Sequence, residues 1–466
     1  MRCMALASVF AECGWKVGFA ASAESVQSVA ALGRSPYEIA ALSEHAADEP
    51  AALRQRWPRG TDILVVDHYG RDAAFEQACR PWADRVVVID DLADRQHEAD
   101  IVADAGNGGD VYRALVPSSC RVLAGPRYAI VHASFRAARK SSLLRRDCRP
   151  VERVLVAFGQ VDPPNATMRA IEALATANFD GHIDVAIGSA APNLSGLRAR
   201  VSDRTHLHID AADMAGLMTG ADLAIGAGGS TAWERCCVGL PTILVEIAAN
   251  QRGIVAAVAA AGAGVDAGGV DGGLVGRVAE RVRDLLGRDA ARKEMAERGA
   301  RYVDGRGASR IFFAAVGPRL LRDGSAVELR PAEADDEAWL LELQQKPATR
   351  QFANDPSPPT EEGHRRWFES TLADERRHLL VVTYNGRRAG MLRFDLGPDA
   401  ARVSIAVDPD FHRRGVGSAA LALAGRAVPG LVLEAEILPK NAASEALFSA
   451  AGYRQVLEKL FRRGPL

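Results

Sequence analysis

A glycine-rich turn between a short apolar strand and a helix is one of two places where this sequence could do chemistry. The turn lies within the stretch Ala221–Gln251 and contains Gly228 and Gly229, and the next helix begins near Ser230 or Thr231. Glycines let a turn fold tightly and let a ligand approach its backbone, while a helix N-terminus presents unpaired N–H groups to an anion. The pattern therefore favours a phosphate-binding turn over the alternative, a turn shaped only by packing.

A carboxylate about one helical turn further on extends this prediction. Glu234 could accept hydrogen bonds from two vicinal hydroxyls, such as those of a ribose. Phosphate and ribose together describe a nucleotide. The stretch thus favours a nucleotide-containing ligand.

The second place is a basic loop near the other end of the chain, after a predicted strand at 403–407. Its residues are His412, Arg413, Arg414, Gly415, Val416, Gly417 and Ser418. Because a helix follows, backbone N–H groups of the loop could cradle a pyrophosphate. A lone Gly-x-Gly pattern is a weak signal, so this interpretation depends on further matches in the same region.

Composition and charge restrict the class of protein. The chain has 466 residues, 48% of them hydrophobic and 25% charged, and its formal net charge is −2. The length predicts about three domains, and the nearly balanced charge favours neither nucleic acid nor an anionic membrane as a partner. The longest run of small apolar residues, 254–265, is too short and too rich in Ala and Gly to span a bilayer.

The first residues and the cysteines predict a cytoplasmic protein. Arg2 and the apolar residues after it superficially resemble a signal peptide, but Glu12 interrupts a short apolar core, so we expect an amphipathic helix. The seven cysteines show neither Cys-x-x-Cys pairs nor Cys/His metal spacing. Reduced thiols and no bound metal are therefore expected.

Alternating strands and helices predict two α/β lobes that position the first site. Strands are expected at 16–22, 62–66, 85–91, 101–103 and 122–124, and then at 154–158, 183–187, 223–225 and 242–245. Helical segments between them indicate parallel sheets. Since ligands bind at the carboxyl ends of strands in such sheets, the polar residues Asp67–Tyr69 are candidates too.

Changes in composition mark the predicted boundaries. The lobes are expected at 1–145 and 146–316, with 317–325 as a linker to a third domain at 326–466. In that domain the expected strands are 327–330, 379–384, 389–395, 402–407 and 431–436, and the last helix is 442–451. This order is typical of a compact α+β domain.

Residues 1–316 resemble the hydrolase family of pseudaminic-acid biosynthesis, which releases UDP from UDP-2,4-diacetamido-2,4,6-trideoxy-β-L-altropyranose. The matching segments are 1–7, 67–69, 89–95, 112–117, 125–126, 159–165 and the stretch Ala221–Gln251, which includes Asn250. The resemblance implies two Rossmann-like lobes of the GT-B type, similar to MurG-type glycosyltransferases. It also implies a UDP-sugar in the cleft and attack of water on its anomeric carbon.

The resemblance assigns roles to individual residues. The implied UDP-sugar-binding residues are Gly228, Gly229, Ser230, Thr231, Glu234 and Gln251, and the implied catalytic residues are His68, Tyr69 and Asn250. N–H donors at the helix terminus would stabilise the departing diphosphate without a metal. Other interpretations stay open, since His68 could be a strand-end histidine with local partners only, and Asp90 and Asp91 could cap a turn.

One departure from this family concerns its catalytic base. In the family, a strand and a glycine-rich loop with the proposed catalytic histidine directly precede the segment that matches Met1-Arg2-Cys3, and this sequence begins after them. We therefore expect a misplaced start. A chain without that base is expected to lose about 10²–10⁴-fold in hydrolysis rate.

Residues 326–466 resemble the GNAT family of acetyl-CoA-dependent N-acetyltransferases. The loop 412–418 matches the family's Gln/Arg-x-x-Gly-x-Gly/Ala loop, with His412 replacing the usual first residue, and 441–453 matches its C-terminal pattern. The resemblance implies that Val407, the loop and Asn441 bind acetyl-CoA. The usual tyrosine general acid is replaced by Phe448, so the group that protonates the departing thiolate is not assigned.

The front of this domain is similar to the amino-sugar acetyltransferases of the same pathway, which acetylate the 4-amino group of a UDP-linked sugar. The similarity is carried by 359–368, with His364 and Trp367. These two side chains could instead form a helix face packed on the core. Arg393 and Asp395 are weaker candidates for substrate contact.

Both resemblances imply a UDP-amino sugar. The resulting hypothesis is a bifunctional enzyme that acetylates a UDP-4-amino sugar with acetyl-CoA and releases UDP from the UDP-diacetamido sugar by hydrolysis. The alternatives are a glycosyltransferase-like front half, or a front half that only binds UDP beside an active acetyltransferase. The stereochemistry of the sugar and the oligomeric state do not follow from the sequence.

Overall fold

The computed structural model describes residues 1–28, 30–42, 48–147 and 149–465, and over these residues the chain is a mixed α/β protein, as predicted. By contacts it divides into two compact units, Met1–Ala5 with Ala20–Ala308, and Leu6–Phe19 with Ser309–Leu466. The predicted boundaries at 145 and 316 differ from this division and remain a prediction.

The first part of the chain contains a parallel sheet and six helices among the described residues. Its elements are α1 (Arg2–Glu12), β1 (Gly18–Ser22), α2 (Ala23–Ser28), α3 (Ala30–Gly33), β2 (Glu38–Leu42), α4 (Glu49–Arg56), β3 (Leu64–Val66), α5 (Ala73–Cys79), β4 (Val86–Ile89), β5 (Ile101–Asp104), β6 (Arg121–Ala124) and α6 (Ala133–Arg145). Strands β3, β4, β5 and β6 pair in this order, all parallel, while β1 pairs with β2. The inner strands β4 and β5 are buried throughout, as expected for a parallel sheet covered on both faces.

The middle part forms a six-stranded parallel sheet. Its elements are β7 (Arg153–Ala157), α7 (Ala166–Thr176), β8 (His182–Ile187), α8 (Leu194–Arg198), β9 (Thr205–Ile209), α9 (Met214–Gly220), β10 (Leu223–Ala227), α10 (Thr231–Cys237), β11 (Thr242–Glu246), α11 (Arg252–Ala260), β12 (Val265–Gly269), α12 (Leu274–Leu286), α13 (Asp289–Tyr302) and α14 (Gly307–Val316). The strand order is β12-β11-β10-β7-β8-β9. The chain leaves β7 in one direction and β10 in the other, so these neighbouring central strands define a topological switch point, where open α/β sheets bind ligands.

The last part forms a mixed sheet. Its elements are β13 (Arg319–Leu320), β14 (Ala326–Pro331), α15 (Glu337–Gln345), α16 (Pro347–Arg350), α17 (Glu361–Ala373), β15 (Arg377–Tyr384), β16 (Arg387–Leu396), β17 (Ala400–Val407), α18 (Val416–Ala427), β18 (Val432–Glu436), α19 (Ala442–Ala450), β19 (Arg454–Gln455) and β20 (Leu460–Arg463). The strands are ordered from β13 to β18, followed by β20 and β19.

The one parallel pair described in this sheet, β17 with β18, is short. It joins Ala400, Ala401 and Arg402 to Val432, Leu433 and Glu434. Strand β17 then continues to Val407, beyond the pairing with β18. The two strands therefore part in the middle of the sheet and leave room between their carboxyl ends.

Two observations apply to all of the described ranges. No helix in the described ranges is both long enough and apolar enough to cross a membrane. The six cysteines that lie in those ranges are free thiols, and Cys148 lies outside the described residues.

Candidate functional site

The predicted phosphate turn directly follows the central strand β10, at the switch point of the six-stranded sheet. Helix α10 begins at Thr231, where the sequence places it, and the Ser230 side chain is exposed and caps no N–H group of the helix. In the neighbouring turn after β7, by contrast, a side chain caps the next helix. The Asp162 carboxylate accepts hydrogen bonds from the backbone N–H of Ala166 and of Thr167 at 2.9 and 2.8 Å. Of these two helix starts at the switch point, the one after β10 is free of a capping carboxylate.

Close packing explains why residue 228 of this turn is a glycine. A side chain on Gly228 would collide with Val255 of α11, so helix and turn approach each other at that point. A Cβ on Gly229 would lie 3.6 Å from Nε2 of Gln251. The turn and the segment before α11 therefore form one surface, and this surface unites three predicted binding residues.

The helix behind the turn carries an unusual pair of charges. Arg235 is 1% exposed, and its guanidinium donates to the Ala227 carbonyl at 2.5 Å and to Thr231 Oγ1 at 3.2 Å. Burial lowers the pKa of Arg235 to about 10. Burial also raises the pKa of Glu234 to about 7, although the Arg235 charge opposes this shift. A positive charge thus lies directly beneath the turn.

Two of the predicted catalytic residues contact each other. Nδ2 of Asn250 donates to the hydroxyl of Tyr69 at 3.3 Å, and this hydroxyl donates to Asp91 at 3.3 Å. Asp91 is paired with Arg2 at 2.9 Å, and Arg2 also binds Asp67 at 2.6 Å. A chain of polar contacts therefore joins the end of β3, the end of β4 and the segment before α11.

The third predicted catalytic residue, His68, lies apart from this chain of contacts. Its Nδ1 accepts the backbone N–H of Gly70 at 2.9 Å, and its carbonyl accepts Nη2 of Arg95 at 3.3 Å. The ring is exposed, and partial burial followed by the Arg71 charge lowers its pKa. A local role in the turn after β3 accounts for these contacts, so a catalytic role of His68 stays a prediction.

A buried carboxylate lies behind this site, within the matching segment 89–95. Asp90 is 1% exposed and accepts hydrogen bonds from the Ala93 N–H, from the Tyr112 hydroxyl and from Arg95, each at 2.9 Å. Burial alone would raise the pKa of Asp90, but these donors and His97 hold it far below its usual range. Asp90 therefore stays ionised and ties the turn after β4 to its surroundings.

This carboxylate belongs to a larger buried network. His97 Nδ1 lies 2.7 Å from Glu76, and its Nε2 lies 3.7 Å from Asp90. Burial alone would lower the pKa of His97, but the two carboxylates raise it to about 9. The Tyr112 hydroxyl also lies 2.6 Å from Asp104, and its pKa is raised by burial and by that carboxylate. The network holds β4 and β5 together at the edge where the site lies.

The predicted pyrophosphate loop lies between β17 and α18, and its two glycines are required for different reasons. Gly415 has φ = 79°, in the left-handed region, where a residue with a Cβ is strained. A Cβ on Gly417 would lie 3.1 Å from Leu447 of α19 and 3.6 Å from Val407 of β17. The start of α18 therefore packs tightly against both of its neighbours.

The rest of this loop is basic and open to solvent. The side chains of His412, Arg413, Arg414 and Ser418 are exposed, whereas Val416 is buried in the core. Nε2 of His412 lies 3.1 Å from the Val407 carbonyl. The loop therefore offers cationic side chains beside the N-terminus of a twelve-residue helix and fits a diphosphate.

A pocket of about 500 Å³ opens where β17 and β18 part. Its floor is formed by residues 402–406 of β17 and by Met391 and Arg393 of β16, and its walls come from α15 to α17, from 436–438 and from α19. Asn441 and Phe448 line it, and Oδ1 of Asn441 also caps α19 by accepting the N–H of Ser444 at 3.1 Å.

The charges around the pocket are mainly positive. Arg350, Arg393, Arg402 and Glu436 line it. Arg393 donates to Asp395 at 2.8 Å, and Asp395 does not line the pocket. Arg393 was predicted from the sequence, whereas Arg350 and Arg402 were not, because only the parting of β17 from β18 brings them to one cavity.

Aromatic side chains also line this pocket. His364 and Trp367 both line the pocket, and Trp367 also packs against the hydrophobic core that contains Phe368. Phe448 stands edge-on to Tyr453 with ring centroids 4.9 Å apart. The Tyr453 hydroxyl is buried without a partner among the described residues, and burial raises its pKa.

The described ranges of the chain contain no cluster of potential metal ligands. No group of three or more His, Cys, Asp and Glu side chains lies there in positions that could hold a metal ion.

Comparison with known proteins identifies relatives of each half. Residues 326–454 match the family model of the acetyltransferase (GNAT) domain. The spore coat polysaccharide biosynthesis protein SpsG of Bacillus subtilis is 30% identical over 222 residues, which is 46% of this chain and 64% of SpsG. The UDP-2,4-diacetamido-2,4,6-trideoxy-beta-L-altropyranose hydrolase of Campylobacter jejuni is 25% identical over 188 residues, which is 39% of this chain and 65% of that protein. This chain thus spans less than two thirds of either relative.

Solved structures of acetyltransferases are similar to about a third of this chain. The GNAT domain of S. lividans PAT is 25% identical, with 31% of this chain and 93% of that chain covered and a TM-score of 0.27. Spermidine N-acetyltransferase from Vibrio cholerae, solved with CoA and spermine, is 13% identical, with 29% and 92% covered and a TM-score of 0.27.

Proposed function

We propose that this chain, in which a GNAT domain follows an N-terminal half homologous to a UDP-sugar hydrolase, acetylates the amino group of a UDP-linked amino sugar with acetyl-CoA. The observation that carries the proposal is the pocket between β17 and β18, which is lined by three guanidinium groups and one carboxylate. That excess of positive charge would contribute little to the binding energy of an uncharged acceptor. It would contribute much more to the binding energy of a nucleotide diphosphate.

The chain's own residues fit acetyl-CoA at one end of this pocket. The pyrophosphate would be held by the backbone around Gly415 and by the exposed cations of the loop, and Asn441 would contact the cofactor arm at the pocket wall. Acetyl-CoA supplies an activated acetyl group. The end of β17 pairs with β16 but not with β18, and it leads from the pocket to the loop. Both ends of the cosubstrate therefore have a surface to bind.

The acceptor would occupy the side lined by the arginines. Guanidinium groups match phosphate oxygens in a forked geometry and remain charged at every physiological pH. Two opposite charges 4 Å apart gain about 4 kcal/mol at the effective dielectric constant of a protein surface. Arg393 is already paired with Asp395 at 2.8 Å. Arg350 and Arg402 therefore contribute most of the preference for a doubly charged diphosphate over an uncharged sugar.

The proposal is tested by incubating the full chain with acetyl-CoA and a UDP-4-amino sugar and measuring released CoA thiol and the mass of the sugar nucleotide. We expect one added acetyl group per sugar and an equal amount of free CoA. The same amino sugar without UDP is expected to react much more slowly. Equal rates for both acceptors would contradict a diphosphate subsite.

Arg402→Gln is expected to raise the KM for the UDP-amino sugar about tenfold, with the affinity for acetyl-CoA unchanged. A hydrogen bond to a charged group contributes about 1.5–3 kcal/mol, and about 1.4 kcal/mol corresponds to tenfold. Arg402 is exposed on β17, so its loss leaves the core intact. Steady-state kinetics against each substrate measure the effect. The matched control is Arg366→Gln on α17, which lies outside the pocket; an equal rise in KM there would contradict the assignment.

We further propose that the N-terminal half releases UDP from the diacetamido product at the turn after β10. In support of this second activity, the end of β3 and the segment before α11 contact each other through Tyr69 and Asn250, directly beside that turn. The turn presents helix N–H groups above the buried charge of Arg235, where negative charge on a leaving diphosphate would be stabilised.

UDP release from the UDP-diacetamido sugar in buffer alone is the deciding measurement for this activity. Free sugar and UDP in equal amounts support hydrolysis. UDP release that requires an added sugar acceptor would favour a glycosyltransferase instead. UDP binding without release would indicate that the N-terminal half only binds the nucleotide.

A further inference from the structure

His364 is a buried histidine whose ring nitrogens have no hydrogen-bond partner. It is 3% exposed, lines the acetyltransferase pocket, and neither Nδ1 nor Nε2 is paired within the described part of the chain. Leaving a buried polar group unpaired destabilises the folded state. A core position filled for packing alone would favour an apolar residue of similar size, so the imidazole requires another explanation.

Packing holds this ring in place. Its centroid lies 5.3 Å from the ring of Trp367 and 6.2 Å from that of Phe368, with which it is nearly parallel. Helix α17 is fixed at its start by Thr360, whose hydroxyl accepts the Gly363 N–H at 3.1 Å. The side chain is thus oriented by aromatic neighbours, and both nitrogens remain available to a molecule in the pocket.

We propose that His364 is the general base that accepts a proton from the amine of the acceptor. This inference rests on the proposed acetyltransferase function. The acceptor's ammonium group gives one proton to His364 and so gains a lone pair, which forms the N–C bond to the acetyl carbonyl. The C–S bond breaks with its electron pair on sulfur, the second proton of the nitrogen passes to that sulfur, and His364 returns its proton to solvent.

The surroundings keep this imidazole in the form that can accept a proton. Burial lowers the pKa of His364, against the opposing field of Glu337. The charged groups that face the pocket are Arg350, Arg393, Arg402 and Glu436. Three of these four are cations, which also disfavour an imidazolium. The ring is therefore neutral at physiological pH and ready to act as a base.

Glu436 is the competing candidate for the same role. It also lines the pocket, but its carboxylate is exposed at the end of β18, where water solvates it. A base acts best where it can reach the amine in a site that excludes water. The buried ring of His364 meets this condition better, and the two residues can be tested side by side.

The test compares His364→Gln with Glu436→Gln in the full chain, using acetyl-CoA and a UDP-4-amino sugar. We expect His364→Gln to lower kcat about 10²–10⁴-fold, since that is the contribution of general bases in enzymes. The Kd for acetyl-CoA, measured by calorimetry, is expected to stay within twofold. Wild-type kcat is expected to fall at acidic pH along a limb that His364→Gln lacks and Glu436→Gln keeps. Arg366→Gln, outside the pocket, is the control that is expected to retain both the rate and the limb.

A second measurement does not depend on turnover. The imidazole resonances of the wild type are recorded by NMR over a pH series, and the His364 signal is assigned by its loss in His364→Phe. We expect a pKa below that of a solvent-exposed histidine, and a shift of this signal when the UDP-4-amino sugar is added without acetyl-CoA. A His364 signal that does not shift when the sugar is added would overturn the inference.

The proposed function and the role of His364 can be refuted separately. If the wild type does not acetylate the UDP-amino sugar, the proposed function is wrong and the role of His364 falls with it. If the wild type is active and His364→Gln retains its rate and pH profile, only the role of His364 is wrong. Loss of the rate in Glu436→Gln instead would transfer the role to that carboxylate.

Discussion

Gly417→Leu is expected to weaken the binding of acetyl-CoA to the full chain about 10- to 100-fold. Even a Cβ at this position would lie 3.1 Å from Leu447, so a larger side chain must push the start of α18 away from α19 and β17. Overpacking of this kind costs about 1–3 kcal/mol, and about 1.4 kcal/mol is tenfold in affinity. Calorimetric titration with acetyl-CoA measures the change.

Two further variants distinguish a local change of the loop from a general loss of stability. Gly415→Ala places a Cβ where there is space, since the nearest side-chain atom lies 3.5 Å away, but the φ of +79° strains it by about 1–2 kcal/mol. A smaller loss of affinity, about tenfold, is expected there. Gly464→Leu is the control, because nothing lies within 4 Å of a Cβ at that position. Unchanged affinity in Gly417→Leu would show that the loop does not hold the cosubstrate.

Much of the fold follows from hydrophobic patterns along the chain. The buried strands β4, β7, β10 and β11 are continuous apolar runs bounded by polar or glycine residues, and each lies where it was predicted. Strands β9 and β12 were missed, since β9 reads Thr-His-Leu-His-Ile and β12 contains two glycines. Both lie at the edges of their sheet, where one-sided pairing tolerates polar and small residues.

The sequence predicts the position of the two glycine-containing turns because their signal is local. The turns after β10 and β17 lie at their expected strand-to-helix junctions because glycines and helix starts are encoded within a few residues. The resemblances to a UDP-sugar hydrolase and to the GNAT family are confirmed by homology of the N-terminal half and by the family model. The roles of individual site residues remain predictions.

Long-range placement explains what the sequence could not reveal. Arg350 and Arg402 are 52 positions apart, and they share a pocket only because β17 leaves β18 after three residue pairs. In the N-terminal half, Tyr69 and Asn250 are separated by 181 positions and meet through one hydrogen bond. Such pairs depend on sheet order and strand register, which no local pattern contains.

The buried network beside the first site supports a prediction about stability. Asp90→Asn is expected to lower the free energy of unfolding by about 3–5 kcal/mol, the usual cost of removing one partner from a buried ion pair. Asparagine keeps the shape of the side chain but leaves Arg95 and His97 without the Asp90 charge. Urea denaturation followed by tryptophan fluorescence measures the loss, because Trp82 packs against the same core.

The matched control uses the other carboxylate on the same arginine. Asp94 also pairs with Arg95, at 3.1 Å, but its side chain is 58% exposed, whereas that of Asp90 is fully buried. Asp94→Asn is therefore expected to change the free energy of unfolding by no more than about 1 kcal/mol. If the two variants lost the same free energy of unfolding, the pairing of Arg95, and not the burial of Asp90, would determine the stability of this turn. A large loss in Asp90→Asn alone would identify this carboxylate as the group that fixes the turn after β4, next to the Asp91 carboxylate that contacts Tyr69.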